Sequence, residues 1–143
     1  MGGETSAIQR VAGKISDDIF SVFKWDRAAR ADMNWECCQE VHSKKTHPSD
    51  VVFFYTDPYE EEMVYLNTDL KSYAVGSIGK KMVEGALTSL ALATECANVS
   101  EEWRLKYVHD DSLGYNVRGL LFLYNHDNLY DKDFYENITK KLD

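Results

Sequence analysis

Apolar residues near the start of the chain recur three or four positions apart. They stand at Ile8, Val11, Ile15, Ile19, Val22 and Phe23. This spacing predicts an amphipathic helix over residues 5–24, with Thr5 or Ser6 as its N-cap. Glu4 stands one turn before Ile8, so a helix that includes it would place its carboxylate on the same stripe. Such an acid either offsets the helix dipole or serves a functional site on the neighbouring sheet.

Two runs rich in aromatic and β-branched residues follow in the middle of the chain. The first is DVVFFYTD at residues 50–57, and the second is MVYLNTDLKSYA at residues 63–74. Such composition favours β-strands. The polar segment between them, residues 58–62, begins with Pro58 and ends with three glutamates. The pattern therefore predicts a β-hairpin with its turn in that segment.

The region before the hairpin carries weaker signals. Residues 26–32 predict a polar connection or a short helical turn, and MNWECCQEV at residues 33–41 predicts a short strand. The segment HSKKTHPS, residues 42–49, predicts a loop, because Pro48 pushes His47 out of the helical region.

The second half of the chain alternates helix and strand signals. Residues 80–97 have helical periodicity and several small residues, which would let a helix lie close against a sheet. A polar stretch at 98–114 precedes residues 115–127, whose continuous apolar run is typical of a strand inside a sheet. Residues 130–142 predict a final amphipathic helix. The order predicts an α/β domain with the hairpin central in a mixed sheet, between helices from the 5–24 and 80–97 regions.

Length and charge narrow the class of protein. With 143 residues, the chain is long enough for a single domain, residues 1–143, with its own core. Its formal net charge of −8 argues against a passive nucleic-acid coat, because phosphate binding favours a basic surface. The same charge is compatible with an enzyme that holds divalent cations between carboxylates.

Hydropathy and cysteine content bear on the compartment. No apolar run approaches the roughly 20 residues that span a bilayer, and the N-terminus is too polar for a signal peptide. The three cysteines, an odd number, suit a reducing cytoplasm better than a disulfide framework. We therefore expect a cytoplasmic protein without membrane contact.

The predicted hairpin brings charged residues together at its open end. A turn near residue 60 sets Asp50 opposite Asp69 or Lys71, whereas Asp57 stays beside the turn. Asp69 and Lys71 share one face of their strand, since side chains alternate along it. Asp50 joins that face only if the register pairs it directly with one of them or a β-bulge intervenes, because a one-residue slip would move it to the other face.

Two interpretations of these three residues are open from spacing alone. Carboxylates placed together repel one another, and a hard divalent cation such as Mg²⁺ is the usual remedy. A lysine two residues on can orient a water molecule and offset charge on an attacked phosphate. The same residues can equally form an ordinary surface ion pair, which contributes at most about 1 kcal/mol.

A second constellation contains thiol and imidazole groups. Cys37, Cys38, His42 and His47 are residue types that bind zinc. Adjacent cysteines on a strand point to opposite faces, however, and the spacing suits four ligands poorly. The preferred interpretation is one buried cysteine beside loop histidines.

The sequences SDVVFFY and TDLKSYA, behind a helix headed by Glu4, resemble the PD-(D/E)xK nuclease superfamily, whose fold is restriction-endonuclease-like. The α-β-β-β-α-β core of that superfamily matches the predicted order of elements over nearly the whole chain. The resemblance implies that Asp50, Asp69 and Lys71 are catalytic, with Glu4 as a further acid on the first helix. It also implies a metal ion held by these three acids and by the carbonyl of Leu70.

The chain departs from that pattern at Ser49, which replaces the proline before the aspartate, with Pro48 one position earlier. The resemblance implies a Mg²⁺-dependent DNA endonuclease, with Mn²⁺ as a substitute, whose activated water attacks phosphorus and leaves a 5′-phosphate and a 3′-hydroxyl. Nucleases of this core often dimerise or act in larger complexes. The expected partners are therefore DNA and either another protein or a second copy of the chain, and by analogy the setting is restriction or phage defence.

Substrate contacts are also anticipated outside the acidic residues. The best candidates for phosphate contacts are Lys44, Lys45, Lys80, Lys81 and Lys106. His126 and Asp127 either border a substrate cleft or belong to a solvated strand end.

The alternative hypothesis is a non-catalytic protein-interaction module with the same fold. Its acids would be merely solvated, and a protein would bind a surface formed by Tyr55, Tyr59, Tyr65 and Tyr73. The two hypotheses differ in whether four residues gather in one cleft, namely Glu4, Asp50, Asp69 and Lys71.

Overall fold

A mixed four-stranded β-sheet organises the part of the chain that the computed structural model describes, residues 2–73, 79–108 and 113–125. In chain order the elements are α1 (Gly2–Phe20), β1 (Asp26–Arg27), β2 (Met33–Glu36), β3 (Thr46–Ser49), β4 (Val51–Asp57), β5 (Glu62–Tyr73), α2 (Lys80–Ala97), α3 (Glu101–Tyr107) and β6 (Tyr115–Asn125). The strand order is β1-β4-β5-β6, in which β5 pairs antiparallel with β4 and parallel with β6. The predicted α/β class with a mixed central sheet is confirmed.

Helices cover both faces of the hairpin formed by β4 and β5. On one face, Val51, Phe53 and Leu66 pack with Phe20 of α1. On the other face, strand residues pack with α2 and α3 in a cluster made of Val52, Tyr65, Val117, Ala93, Cys96, Ala97, Trp103 and Tyr107. The hairpin is apolar on both faces because both are buried, as the continuous apolar runs predicted.

The buried stripe of α1 differs from the predicted one. Ala12, Ser16 and Phe20 are buried, whereas Val11 and Ile19 are 48% and 43% exposed. The helix also ends at Phe20, where the chain tightens into a 3₁₀ turn at Ser21–Phe23. Small side chains on the buried stripe let the helix approach the sheet closely. Val11 and Ile19, two of the large apolar residues that defined the predicted stripe, therefore lie beside the contact between α1 and the sheet and stay partly exposed.

The strand predicted at 33–41 is shorter than expected and belongs to a second sheet, not to the central one. It spans Met33–Glu36 and pairs with Thr46–Ser49, a segment predicted to be loop, in a separate two-stranded sheet. Pro48 within β3 does not prevent this pairing, because a proline is tolerated in an edge strand. The connection predicted at 26–32 likewise contains the short strand β1, which pairs with β4.

The polar stretch at 98–114 contains a helix that the prediction missed. Ser100 caps α3, its hydroxyl accepting a hydrogen bond from the backbone N–H of Trp103 at 3.1 Å. Glu101 and Glu102 occupy the first turn, where negative charge is favoured by the helix dipole. Trp103 and Tyr107 are fully buried and anchor this short helix against the sheet.

Some expectations fall on residues outside the described ranges. These are the helix predicted at 130–142 and the residues His126 and Asp127. Within the described ranges, no helix combines the length and the apolar character needed to cross a bilayer.

Candidate active site

Asp50 lies where the chain passes from the two-stranded sheet to the central one. β3 ends at Ser49 and β4 begins at Val51, so Asp50 is the single residue between the two strands. Its backbone carbonyl accepts a hydrogen bond from the N–H of Asp32 at 2.8 Å. The junction is thus fixed through the backbone, which leaves the carboxylate free for other contacts.

Ser49 is fully buried next to Asp50 and forms the centre of a hydrogen-bond network. Its hydroxyl donates to Oδ1 of Asn67 at 2.6 Å and accepts from the indole N–H groups of Trp35 at 3.0 Å and Trp103 at 3.4 Å. A proline has no hydroxyl to offer, so the departure from the family pattern has a structural reason here. The network holds the backbone beside Asp50 from several directions.

The register of the hairpin sets Asp50 opposite Asp69. Val51 pairs with Thr68, and continuing this pairing by one residue places the two aspartates directly across from each other. Directly opposed residues share a face of the sheet, and Lys71 shares it too, because it lies two positions beyond Asp69. The hairpin therefore has the register that the sequence argument required.

The side chains of this acidic cluster, defined as Asp50, Asp69 and Lys71, are in contact. Oδ2 of Asp50 accepts a hydrogen bond from the backbone N–H of Leu70 at 2.9 Å, and the carboxyl of Asp69 is near enough to raise the pKa of Asp50. Nζ of Lys71 lies 3.4 Å from Oδ1 of Asp69. The side chain of Asp69 is 16% exposed and that of Lys71 is 37% exposed, so the cluster is sheltered but open on one side.

Electrostatics at the acidic cluster favour binding of a cation. Burial raises the pKa of Asp50 from its ordinary value of 3.8 to about 6, and the hydrogen bond and negative charge of Asp69 add to the rise. The N–H of Leu70 and the charge of Lys71 oppose it. Two carboxyl groups in contact thus retain a proton more readily, and a divalent cation can take the place of that proton.

Two cavities border Asp50. One has a volume of about 20 Å³ and lies between the aspartates and α2, against Pro48 and Leu90. Since one water molecule needs about 10–15 Å³, this cavity has room for a single water or ion. The other is a groove of about 630 Å³ beside α1, lined in part by the basic side chains of Arg10, Lys14 and Arg27.

Asp57 lies away from the acidic cluster, as predicted. It ends β4 beside the turn, where its Oδ1 accepts hydrogen bonds from the backbone N–H groups of Tyr59 at 2.8 Å and Glu60 at 3.2 Å. The carboxylate therefore stabilises the turn and is seven residues along the strand from Asp50.

The other residues predicted for the site, Glu4 and five lysines, have no described contact with the acidic cluster. Glu4 belongs to α1, but its side chain lies outside the described part of the structure. Lys106 forms an ion pair with Glu102 at 2.7 Å, and Lys80 lies 3.7 Å from Glu84. Three lysines are exposed and form no ion pair with another described residue, namely Lys44, Lys45 and Lys81.

The tyrosines of the alternative hypothesis do not form one surface. Tyr65 is 1% exposed and packs in the core, edge-on to Trp103. Tyr55 is stacked on Trp25, and Tyr59 is exposed at the turn. The side chain of Tyr73 lies outside the described part of the structure. The predicted tyrosine surface is therefore wrong at least for Tyr65.

The thiol and imidazole groups are arranged differently from the preferred interpretation. Both histidines are buried, His42 at 8% and His47 at 1% exposure, and His47 lies in β3 rather than in a loop. Cys37 and Cys96 lie next to them, and the potential ligand atoms of all four residues are within 4.8 Å of one another. Cys38 is exposed and outside this group.

Two features of the site escaped the sequence prediction. The basic residues of the groove, Arg10, Lys14 and Arg27, were not singled out, although the i,i+4 spacing of the first two on α1 could have indicated a shared face. Cys96 was predicted in a helix but not next to Cys37, because that contact depends on how α2 packs against β2 and β3.

A D-x-K strand paired with an aspartate-bearing strand, on a mixed sheet flanked by helices, defines the PD-(D/E)xK class of nucleases. The chain belongs to the family of the GAPS4 protein PD-(D/E)XK nuclease domain, whose model matches residues 1–143. Nucleases of this class generally use divalent metals, and a nuclease domain implies a nucleic-acid substrate. No curated protein and no solved structure matches the chain closely enough to add to this assignment.

Proposed function

We propose that this domain is a metal-dependent phosphodiesterase that cuts DNA, with Asp50, Asp69 and Lys71 at its catalytic centre. The observation that carries the proposal is the opposition of the two aspartates across the hairpin, with Nζ of Lys71 3.4 Å from Oδ1 of Asp69. Glu4 and the carbonyl of Leu70 complete the proposed set of ligands, as the family resemblance implies.

The donor set fits Mg²⁺, with Mn²⁺ as a substitute. Mg²⁺ prefers oxygen ligands and is commonly bound through one or two carboxylates together with water and substrate phosphate. Asp50 and Asp69 supply two carboxylates, and the small cavity beside them has room for one ion or water. When bound, a divalent cation would supply positive charge to the phosphate and acidify a nearby water molecule.

The protein residues would orient the carboxylate, hold the attacking water and offset charge on the phosphate. The N–H of Leu70 holds Oδ2 of Asp50 in place, so this carboxylate is oriented before any ligand arrives. The ammonium group of Lys71, close to Asp69 and still partly exposed, can hold the attacking water by a hydrogen bond. It can also offset the negative charge that develops on the phosphate during in-line attack.

Binding of the DNA backbone would fall to the groove beside α1 and to exposed lysines. Arg10 and Lys14 on α1 and Arg27 on β1 line the groove, which Asp50 borders. Two of these basic groups are paired with acids of α1, Lys14 with Asp18 and Arg27 with Asp17. Four aspartates line the same groove, namely Asp17, Asp18, Asp32 and Asp50. Because acids outnumber bases there, we propose that a protein partner or a second copy of the chain helps to hold the DNA.

The setting of this activity rests on cysteine content and on analogy. We place the domain in the cytoplasm because its three cysteines, an odd number, suit a reducing compartment. We place it in a restriction or phage-defence system by analogy with nucleases of this fold, and no residue of the chain supports that step. The non-catalytic interaction module remains the alternative, although its tyrosine surface is not formed.

A cleavage assay tests the proposal. Supercoiled plasmid, single-stranded DNA and RNA are incubated with the protein in EDTA, Mg²⁺ or Mn²⁺, and the same series is run with Lys71→Ala and with Asp57→Asn as the matched control. We expect metal-dependent cutting of DNA by the wild type and by Asp57→Asn, and its loss in Lys71→Ala. Equal cutting by Lys71→Ala, or no cutting of any substrate by the wild type, would contradict the proposal.

A further inference from the structure

The four residues Cys37, His42, His47 and Cys96 come together at β3 from four separate parts of the fold. Cys37 follows β2, His42 ends the 3₁₀ turn at Glu40–His42, and His47 belongs to β3. Cys96 comes from the last turn of α2, 59 residues after Cys37. These four residues are called the Cys/His cluster below.

The distances within the Cys/His cluster match the edges of a tetrahedron around one metal ion. The two sulfur atoms are 3.5 Å apart, and Nδ1 of His42 is 3.5 Å from Sγ of Cys37 and 3.2 Å from Sγ of Cys96. Zinc bonds of about 2.3 Å to sulfur and about 2.0 Å to nitrogen give tetrahedral edges of about 3.3–3.8 Å. Three of the edges are thus already near the length that a bound ion requires.

Burial leaves two polar atoms of this cluster without a hydrogen-bond partner among the described residues. These are Nε2 of His42, which is 8% exposed, and Nε2 of His47, which is 1% exposed. A buried imidazole without a partner on one nitrogen is costly, because that atom loses its hydrogen bond to water. A metal ion bound by the cluster would offset this cost at His47 if Nε2 of that residue, or its ring after a small rotation, coordinates the ion.

A carboxylate lies near the second ring nitrogen of His42. Nδ1 of His42 faces the two cysteines, and its Nε2 lies 3.4 Å from Oε2 of Glu95, an ion-pair distance without hydrogen-bond geometry. Zinc-binding histidines usually direct their second ring nitrogen towards such a carboxylate. Glu95 directly precedes Cys96, so one turn of α2 provides both a candidate ligand and this acid.

We infer that the Cys/His cluster binds one Zn²⁺ ion as a closed structural site. Two thiolates and two imidazoles in tetrahedral arrangement are characteristic ligands of zinc, and four protein ligands leave no position for a substrate. The site is separate from the proposed Mg²⁺ site, whose ligands are oxygens. Its role is to fasten the β2–β3 hairpin to α2, and so to hold the strand that leads into Asp50.

Metal analysis of the purified chain tests this inference. The protein is expressed in medium supplemented with zinc, purified under reducing conditions without chelators, and analysed for all transition metals. We expect about one zinc ion per chain in the wild type. Replacement of zinc by Co²⁺ should give the visible absorption of a tetrahedral site and a charge-transfer band from thiolate to metal.

Adjacent cysteines provide a matched pair of variants. Cys37→Ser removes a ligand, whereas Cys38→Ser changes an exposed cysteine one position away. We expect zinc to be lost from Cys37→Ser and Cys96→Ser and kept in Cys38→Ser and in Asp69→Asn. Cys37 is only half-buried, so Cys37→Ser should fold even if Cys96→Ser does not. In that case the Co²⁺ spectrum of Cys37→Ser decides the outcome, and we expect its charge-transfer band to lose intensity.

Three results would overturn the inference. One is a reduced wild-type chain that contains no zinc and binds no Co²⁺. Another is a disulfide between Cys37 and Cys96 in protein purified in parallel without reductant, shown by mass spectrometry after alkylation. The last is zinc that stays bound in Cys37→Ser and disappears in Asp69→Asn, which would place the ion at the acidic cluster instead.

Discussion

The acidic cluster and the Cys/His cluster meet along β3, where His47 belongs to one and Asp50 follows as part of the other. The first presents carboxylate oxygens and an ammonium group, is open on one side, and borders a groove. The second presents sulfur and nitrogen atoms and is nearly closed to solvent. Hard cations that keep water ligands suit the first, and a fully coordinated zinc ion suits the second.

The difference shows how neighbouring residues can serve separate purposes. An ion in the acidic cluster would have to exchange water and phosphate, so the site needs exposure and only a few protein ligands. An ion in the Cys/His cluster would have a structural role and would exchange no ligands. Burial and a complete set of protein ligands favour such an ion. Ser49 lies between the two and ties the segment to Asn67, Trp35 and Trp103. The same short strand is therefore anchored by this network and leads into the partly open acidic cluster.

The largest expected effect is the loss of cleavage when the acidic cluster is altered. Asp69→Asn and Asp50→Asn should each lower the cleavage rate by at least about 10²–10³-fold, because charge stabilisation in the transition state is removed. Asp57→Asn should change the rate little, since that carboxylate stabilises the turn. Single-turnover cleavage in Mg²⁺ measures the rates, and circular dichroism confirms that the variants are folded. A loss of activity in Asp57→Asn but not in Asp50→Asn would contradict the assignment.

Removal of zinc should have the next largest effect, on stability. A strong chelator, or the change Cys37→Ser, should lower Tm by about 10 °C, which corresponds to about 3 kcal/mol for a chain of this size. Cys38→Ser should stay close to the wild type. Differential scanning calorimetry of the zinc-loaded and chelated protein measures the change. An identical Tm in both forms would show that no structural ion contributes to the fold.

Loss of the hydroxyl between the clusters should have a smaller effect. Ser49→Ala leaves Asn67 and two indole N–H groups without their buried partner, so we expect a destabilisation of about 2 kcal/mol. Ser21→Ala is the matched control, because its hydroxyl donates to the carbonyl of Asp18 at an exposed position and should contribute less than about 0.5 kcal/mol. Urea unfolding of both variants measures the difference, and equal destabilisation would show that the network at Ser49 is unimportant.

The smallest effect concerns the pH dependence of stability. The pKa of Asp50 is raised from 3.8 to about 6 in the folded protein, mainly by burial. The stability that the protonated carboxyl contributes is present below pH 4 and is lost as pH rises through about 6. The loss should be about 1–2 kcal/mol once solvent screening at this partly exposed group is allowed for.

Urea unfolding at pH 4, 5, 6 and 7 without divalent metal measures this dependence. Asp50→Asn should be more stable than the wild type at pH 7, and its stability should change less between pH 4 and 6. Cleavage by the wild type should also weaken below pH 6, because a protonated Asp50 cannot hold a cation. If the difference between the two proteins is the same at every pH, Asp50 titrates normally.

The acidic cluster could be predicted from sequence because its geometry is local. A hairpin with a short turn fixes which residues face each other, so Asp50, Asp69 and Lys71 followed from counting along two strands. Only the register was open, and the pairing of Val51 with Thr68 decides it. The boundaries of β4, β5 and α2 were predicted closely for the same reason, since strong periodic patterns mark them.

The Cys/His cluster could not be predicted in this way because its fourth member is distant in sequence. The residue types of Cys37, Cys38, His42 and His47 suggested zinc, but their spacing argued against it. The fourth member of the cluster, Cys96, comes close only when α2 packs behind the β2–β3 hairpin. That hairpin was itself missed, because Pro48 indicated a loop where the chain forms an edge strand.

Anomalous X-ray scattering from crystals soaked in Mn²⁺ tests the claim of two distinct metal sites most directly. Data collected on either side of the zinc edge and at a wavelength where manganese scatters strongly locate each element separately. We predict a zinc peak among Cys37, His42, His47 and Cys96. We predict a manganese peak about 2.0–2.2 Å from carboxylate oxygens of both Asp50 and Asp69. Manganese bound only at the Cys/His cluster, or bound away from both aspartates, would contradict the account.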